Sequence, residues 1–238
     1  MFPNLRFLSY SASPNRLQLA HAEDSRSACR RLQSSNAWMC LERISADVVT
    51  IYAMGLQHSV RLLDLGDVHR SEVLLLHTVL SDTCATHLSL RLEASCWTRQ
   101  DLRNLFNCIT NLTHVVLTLD MVYHKDKFDS FDDLLSTVMA SLTTTPLTFL
   151  NIRHQMRINH KVPRNHEICA VVDGVGLHTL GQGFAEAIPT LHFIVIEFLC
   201  LKESIQKFFL MERNGENKTL VTKMDEAEGK QMLRNEWP

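Results

Sequence analysis

No two of the seven cysteines, at 29, 40, 84, 96, 108, 169 and 200, form a C-x-x-C pair. That excludes a zinc knuckle or a dithiol motif, and an odd count without close pairs favours free, half-buried thiols in a reducing compartment. Charge of one sign is also lacking. With a formal net charge of -2 the chain carries no broad footprint for a polyanion, so neither nucleic acid nor an anionic membrane is expected as a partner. Long hydrophobic runs are missing as well. The longest, Leu191 to Leu201, is broken by His192 and Glu197 and falls short of the roughly 20 residues that span a bilayer. The opening M-F-P-N-L-R has neither a basic region nor an apolar stretch of secretory type, and a cytoplasmic or nuclear protein is the resulting expectation.

Catalytic patterns are equally scarce. Ser, His and Asp are plentiful but scattered, with no G-x-S-x-G to arrange a nucleophile against a base. Gly174-Val-Gly176 follows an apolar run as a dinucleotide fingerprint would, yet Thr179 stands where the third glycine belongs. Of the twelve histidines, His154, His160 and His166 are spaced by six, which fits neither a helical i,i+4 pair nor a familiar zinc pattern. No catalytic, cofactor-binding or metal-ligating residue is assigned, and the chain is not read as an enzyme.

What is present is recurrence. Thr98 to Met121 begins with Leu102, Leu105, Phe106 and Ile109 on one helical stripe, with Thr98 as N-cap, and ends in the alternation Val115, Leu117, Leu119 of a strand. The template L-x-x-L-x-L, with other apolar residues allowed, finds seven such strands. They begin at Leu5, Leu41, Val60, Ala85, Leu112, Leu147 and Leu191, with separations of 36, 19, 25, 27, 35 and 44 residues. Helical periodicity fills the gaps: Val73, Leu76 and Leu80 with Ser71 as N-cap; Ser130 to Leu142; and Leu177 to Ile188, ended by Pro189. Each helix-plus-strand unit has one apolar face that it buries only against its neighbours. The expected fold is therefore α/β, a leucine-rich-repeat-like solenoid with a parallel sheet of about seven short strands and helices on the outer face.

The expected array covers 1–210. Pro14 to Ala37 reads as a modest helix flanked by loop, and 153–173 as an exposed basic insertion. The polar segment 211–238 reads as a short helix, Asp225 to Trp237, capping the array's open end. The repeats are irregular: three residues after the third apolar position, where many such repeats carry Asn or Cys, stand Ser13, Val68, Glu93, Asp120, Gln155 and Leu199.

The strings F-P-N-L-R-F-L, D-L-L-S-T-V-M-A-S-L, A-I-P-T-L-H-F-I-V-I and the closing T-L-V-T-K-M-D-E-A-E-G-K-Q-M-L-R-N-E-W together resemble the leucine-rich half of fungal F-box proteins of the mushroom-forming type. The resemblance implies a repeat array that presents substrates within a cullin ubiquitin ligase. It implies a Skp1-type adaptor as partner only where an F-box lies upstream, because Leu5 already belongs to the first repeat. The alternative is a truncated or degenerate repeat protein with a structural role alone.

Alternation also assigns the outward columns. Position three collects Phe7, Arg43, Leu62, His87, His114, Phe149 and Phe193; position five collects Ser9, Ser45, Asp64, Ser89, Val116, Asn151 and Val195; position seven collects Ser11, Asp47, Gly66, Arg91, Thr118, Arg153 and Glu197. His87, Arg91, His114, Phe149, Arg153, Phe193 and Glu197 are the candidate protein-binding residues, because aromatic and arginine side chains concentrate at binding hot spots. A non-enzymatic scaffold for an unidentified protein substrate is the expected function.

Overall fold

The computed structural model describes residues 6–10, 19–33, 41–106, 109–123, 131–158, 176–199, 204–213 and 219–237. Their backbone is α/β, with most strands paired in parallel. The chain divides into two compact units, one of Met1–Arg91 with Cys108–Leu112 and one of Leu92–Asn107 with Thr113–Pro238. That division falls inside the expected 1–210 array.

The first unit contains β1 (Phe7–Ser9), α1 (Leu19–Gln33), β2 (Arg43–Ser45), α2 (Val48–Met54), β3 (Leu62–Asp67), α3 (Val73–Thr83) and the start of β4 (His87–Glu93). The strands pair in chain order and in parallel, Phe7 to Arg43 to Leu62 to His87, which is the expected position-three column. Parallel neighbours joined by helices take right-handed crossovers, which place the connecting helices on one side of the sheet. The template residues Ile44, Leu63, Leu65, Leu88 and Leu90 are accordingly buried, as are Val49, Ala53, Leu76 and Val79 of the helices.

Local chemistry sets the helix ends. The Asp47 carboxylate, expected on the outward column, instead accepts from the Thr50 N–H at 2.9 Å and caps α2. Gly55 closes that helix at φ 59, with Arg26 and Arg30 packed where a Cβ would stand. The start expected at Ser71 is modified, because Arg70–Glu72 forms a 3-10 turn and the His69 N–H donates to the Glu72 carboxylate at 2.9 Å. The guanidinium of Arg26, on α1, lies over the Tyr52 ring and, with Arg30, pairs with Asp82 at the end of α3.

The second unit contains α4 (Arg99–Asn104), β5 (His114–Tyr123), α5 (Phe131–Leu142), β6 (Phe149–Ile158), α6 (Leu177–Ala187), β7 (Phe193–Leu199), β8 (Ser204–Arg213), β9 (Thr219–Lys223) and α7 (Glu226–Glu236). Thr98 caps α4 as expected, its hydroxyl accepting from the Asp101 N–H at 3.2 Å. Strands β5, β6 and β7 are parallel in the expected register, His114 to Phe149 to Phe193. Two antiparallel strands, β8 and β9, follow where none was expected, and β8 runs across the boundary placed at 210.

Arg153 to Ile158 belong to β6 and do not begin an exposed loop; the rest of 153–173 lies outside the described residues. Alternation explains the misreading. Arg153 and Gln155 point to one face, while His154 points into the interior at 1% exposure, edge-on to Phe198 with ring centroids 5.8 Å apart.

One carbonyl recurs at the strand entrances. Arg6 accepts from the N–H groups of Glu42 and Arg43 at 2.8 and 3.1 Å, Thr113 from Thr148 and Phe149 at 2.8 and 3.0 Å, and Thr148 from His192 and Phe193 at 2.9 and 3.1 Å. These forked bonds satisfy turn backbone that an asparagine ladder would otherwise serve.

Candidate functional site

In a helix-on-sheet unit the side that the helices cover is committed to the core. The opposite side carries the outward columns, and it differs between the two units. In the first unit it is mostly polar and partly exposed, although Leu62 and His87 of the position-three column are buried. Ser9 is exposed, while Ser45, Asp64 and Ser89 are half-buried. Arg43 reaches Asp64 at 3.6 Å, with side-chain exposures of 43% and 32%; Arg91 reaches Asp67 at 3.6 Å, with exposures of 41% and 63%. Exposed pairs at that separation contribute about 0–1 kcal/mol, so a partner's charges can displace them at little cost. Asp67 stands opposite Arg91 because Gly66 takes φ 61 and adds one residue to β3; Gly66 is therefore not the position-seven residue.

The same side of the second unit is apolar and covered. Val116, Phe149, Phe193, Val195 and Phe208 form one buried cluster, against which Met224, Met232, Leu233 and Trp237 pack. The Met224 N–H donates to the Phe208 carbonyl at 3.0 Å, Trp237 stacks on Phe149 at 6.0 Å, and His114 Nε2 lies 3.1 Å from the Glu236 carboxylate. Helix α7 thus crosses from β8 toward β5, lying over the sheet face instead of capping an open end. A Cβ on Gly229 would come within 2.1 Å of the Phe208 ring, so only glycine allows this approach.

Most of the expected binding residues are consequently engaged inside the molecule. Phe149 and Phe193, at 0% and 1% exposure, are core residues under α7 and present no surface while that helix is in place. His114 is held between Phe149 and Glu236. Glu197 is buried, paired with Arg153 at 3.1 Å and accepting from Gln206 at 2.8 Å. His87 is buried beside the Thr86 hydroxyl, 2.9 Å from its Nδ1. Arg91 and, in part, Arg153 keep solvent access. Arg43 and Asp64, which the columns hold but the expected binding set leaves out, and Asp67, which the columns omit, complete this face; polar Arg43 and Ser45 on either side of Ile44, and Asp64 between Leu63 and Leu65, were the signal for the first two.

Within the covered cluster, one residue is chemically out of place. Asn151 lies in register between Val116 and Val195, is 0% exposed, and neither atom of its amide has a hydrogen-bond partner among the described residues.

Among the described residues no group of three or more metal-ligating side chains converges, and no helix is long and apolar enough to cross a membrane. His160 and His166 lie outside the described residues, and Cys29, Cys84 and Cys96 are free thiols. No protein-family model, curated protein or solved structure matches the chain.

Proposed function

We propose that this chain is a non-enzymatic scaffold of leucine-rich-repeat type that binds another protein through the open sheet face of β1 to β4. One observation carries the reading: Arg43, Asp64, Asp67 and Arg91 hold partly exposed charges of both signs on one sheet face, with arginine-to-aspartate separations of 3.6 Å. Such a face offers a partner electrostatic complementarity without disturbing the core, which lies on the other side. The resemblance to the leucine-rich half of F-box proteins supports taking that partner to be a ubiquitin-ligase substrate; a Skp1-type adaptor joins the reading only if an in-frame F-box lies upstream.

The test is comparative affinity purification of the wild-type chain and of a variant carrying Arg43→Glu and Arg91→Glu. Both positions are partly exposed, and a circular dichroism spectrum matching wild type is the folding control for the variant. The expected outcome is loss of the specific partners retained by wild type; an unchanged partner set rejects this face.

A further inference from the structure

We propose that α7 is a displaceable lid, and that the face beneath it binds an extended apolar peptide segment whose backbone is held by Asn151. The inference rests on the scaffold reading and adds to it a second site, in the other unit.

Asn151 carries the proposal. A carboxamide presents one acceptor and two donors, and burying it without partners opposes the packing that buries it. The row in which it stands is otherwise Val116, Val195 and Phe208, so a valine or leucine would seal α7 more tightly. A helix is also the wrong companion for this group, because the backbone N–H and C=O groups in its middle are already bonded to one another. An extended segment differs. Its backbone amides are free, and a side-chain carboxamide matches one of them with two hydrogen bonds, while side chains on either side reach Phe149, Phe193 and Phe208.

The lid has the character of a removable element. Of the residues of α7, Gly229 alone is buried, and the helix is held through Met232, Leu233 and Glu236 with the flanking Met224 and Trp237. Elements with few buried residues open at far lower cost than core strands. The bare face left behind is continuous and apolar, which solvent disfavours and a peptide satisfies.

The full-length chain is the test object, examined by hydrogen exchange and by panning a display library of linear 12-residue peptides. In wild type the amides of 226–236 should exchange at least about 100-fold faster than those of 149–155. Asn151→Leu should slow the α7 amides about tenfold by removing the unpaired amide. Gly229→Ala, which drives a methyl group into Phe208, and Trp237→Ala should each open the lid while exchange at 149–155 stays slow. Peptides selected on either lid variant should bind it at least about tenfold more tightly than wild type and lose about tenfold on adding Asn151→Leu.

Exchange of 226–236 in step with 149–155 in wild type overturns the lid. Selected peptides indifferent to Asn151→Leu, or an empty selection on both lid variants, overturn the peptide site. Neither result bears on the β1 to β4 face, whose failure is read only from the Arg43 and Arg91 variant.

Discussion

Two units built on the same template present opposite surfaces on the side away from their helices. In the first unit that side is mostly polar and partly exposed, with buried Leu62 and His87 among its residues; in the second it is apolar and covered by a helix from the same chain. Outward-pointing is therefore a statement about pleat, not about solvent. Whether an outward column becomes a recognition surface or a second core depends on whether anything is available to cover it. Phe149 and Phe193 face away from the template core and are still among the most buried residues of the molecule.

The sharpest way to break this contrast is Phe149→Ala. A buried phenylalanine truncated to alanine costs about 3–5 kcal/mol, so denaturant unfolding of the second unit should move strongly toward lower concentration. Phe7→Ala, at a position 64% exposed in the first unit, should stay within about 0.5 kcal/mol of wild type. Equal effects would abolish the distinction.

Acid provides the next largest effect. Burial pushes the His154 imidazolium from 6.5 down to about 4, opposed by a hydrogen bond to the Leu119 backbone. The unfolded chain therefore binds this proton more readily than the folded one. The contribution is fully present above about pH 6.5 and is lost as pH falls toward 4, by about 3 kcal/mol in total at about 1.4 kcal/mol per unit. Unfolding curves across that window should show this loss in the wild type and a smaller one in His154→Leu.

Asp82→Ala tests the helical side of the first unit. It leaves Arg26, 6% exposed at its side chain, and the partly buried Arg30 without their shared carboxylate, at a cost of about 2–3 kcal/mol. Removing Arg91 from the open face should change stability by less than about 0.5 kcal/mol by the same denaturation assay. The last expected effect is a gain. Cys84 ends α3 at φ 45, a conformation glycine adopts freely, so Cys84→Gly should raise stability by about 0.5 kcal/mol.

Much of the backbone plan was legible in the residues. Alternating apolar positions placed the seven parallel strands, and the pairings Phe7–Arg43–Leu62–His87 and His114–Phe149–Phe193 follow from them. Strand β8 was not legible, because its neighbours cover both faces. Phe208 faces α7 while Phe209 and Val221 approach Gly181 of α6, which erases the alternation that marks a half-exposed strand. Helix α7 was foreseen with nearly its observed ends, but not its position. Methionine, leucine and tryptophan on one side of a helix report that it will bury something, and only the close passage of Gly229 over Phe208 says what. The basic residues from Arg153 onward suggested a loop because local composition carries no record of neighbouring strands: β7 pairs with β6 as far as Gln155, and β5 carries the pairing on to Ile158.

The shared carbonyls at Arg6, Thr113 and Thr148 have an evolutionary corollary. Each fixes the first residues of the following ribbon by two bonds, so alignment is established at the entrance and is insensitive to how much polypeptide was spent getting there. Connecting segments are thereby free to lengthen, shorten or diverge without shifting any inward side chain outward. Connectors of this kind tolerate insertion and deletion better than the strands they join.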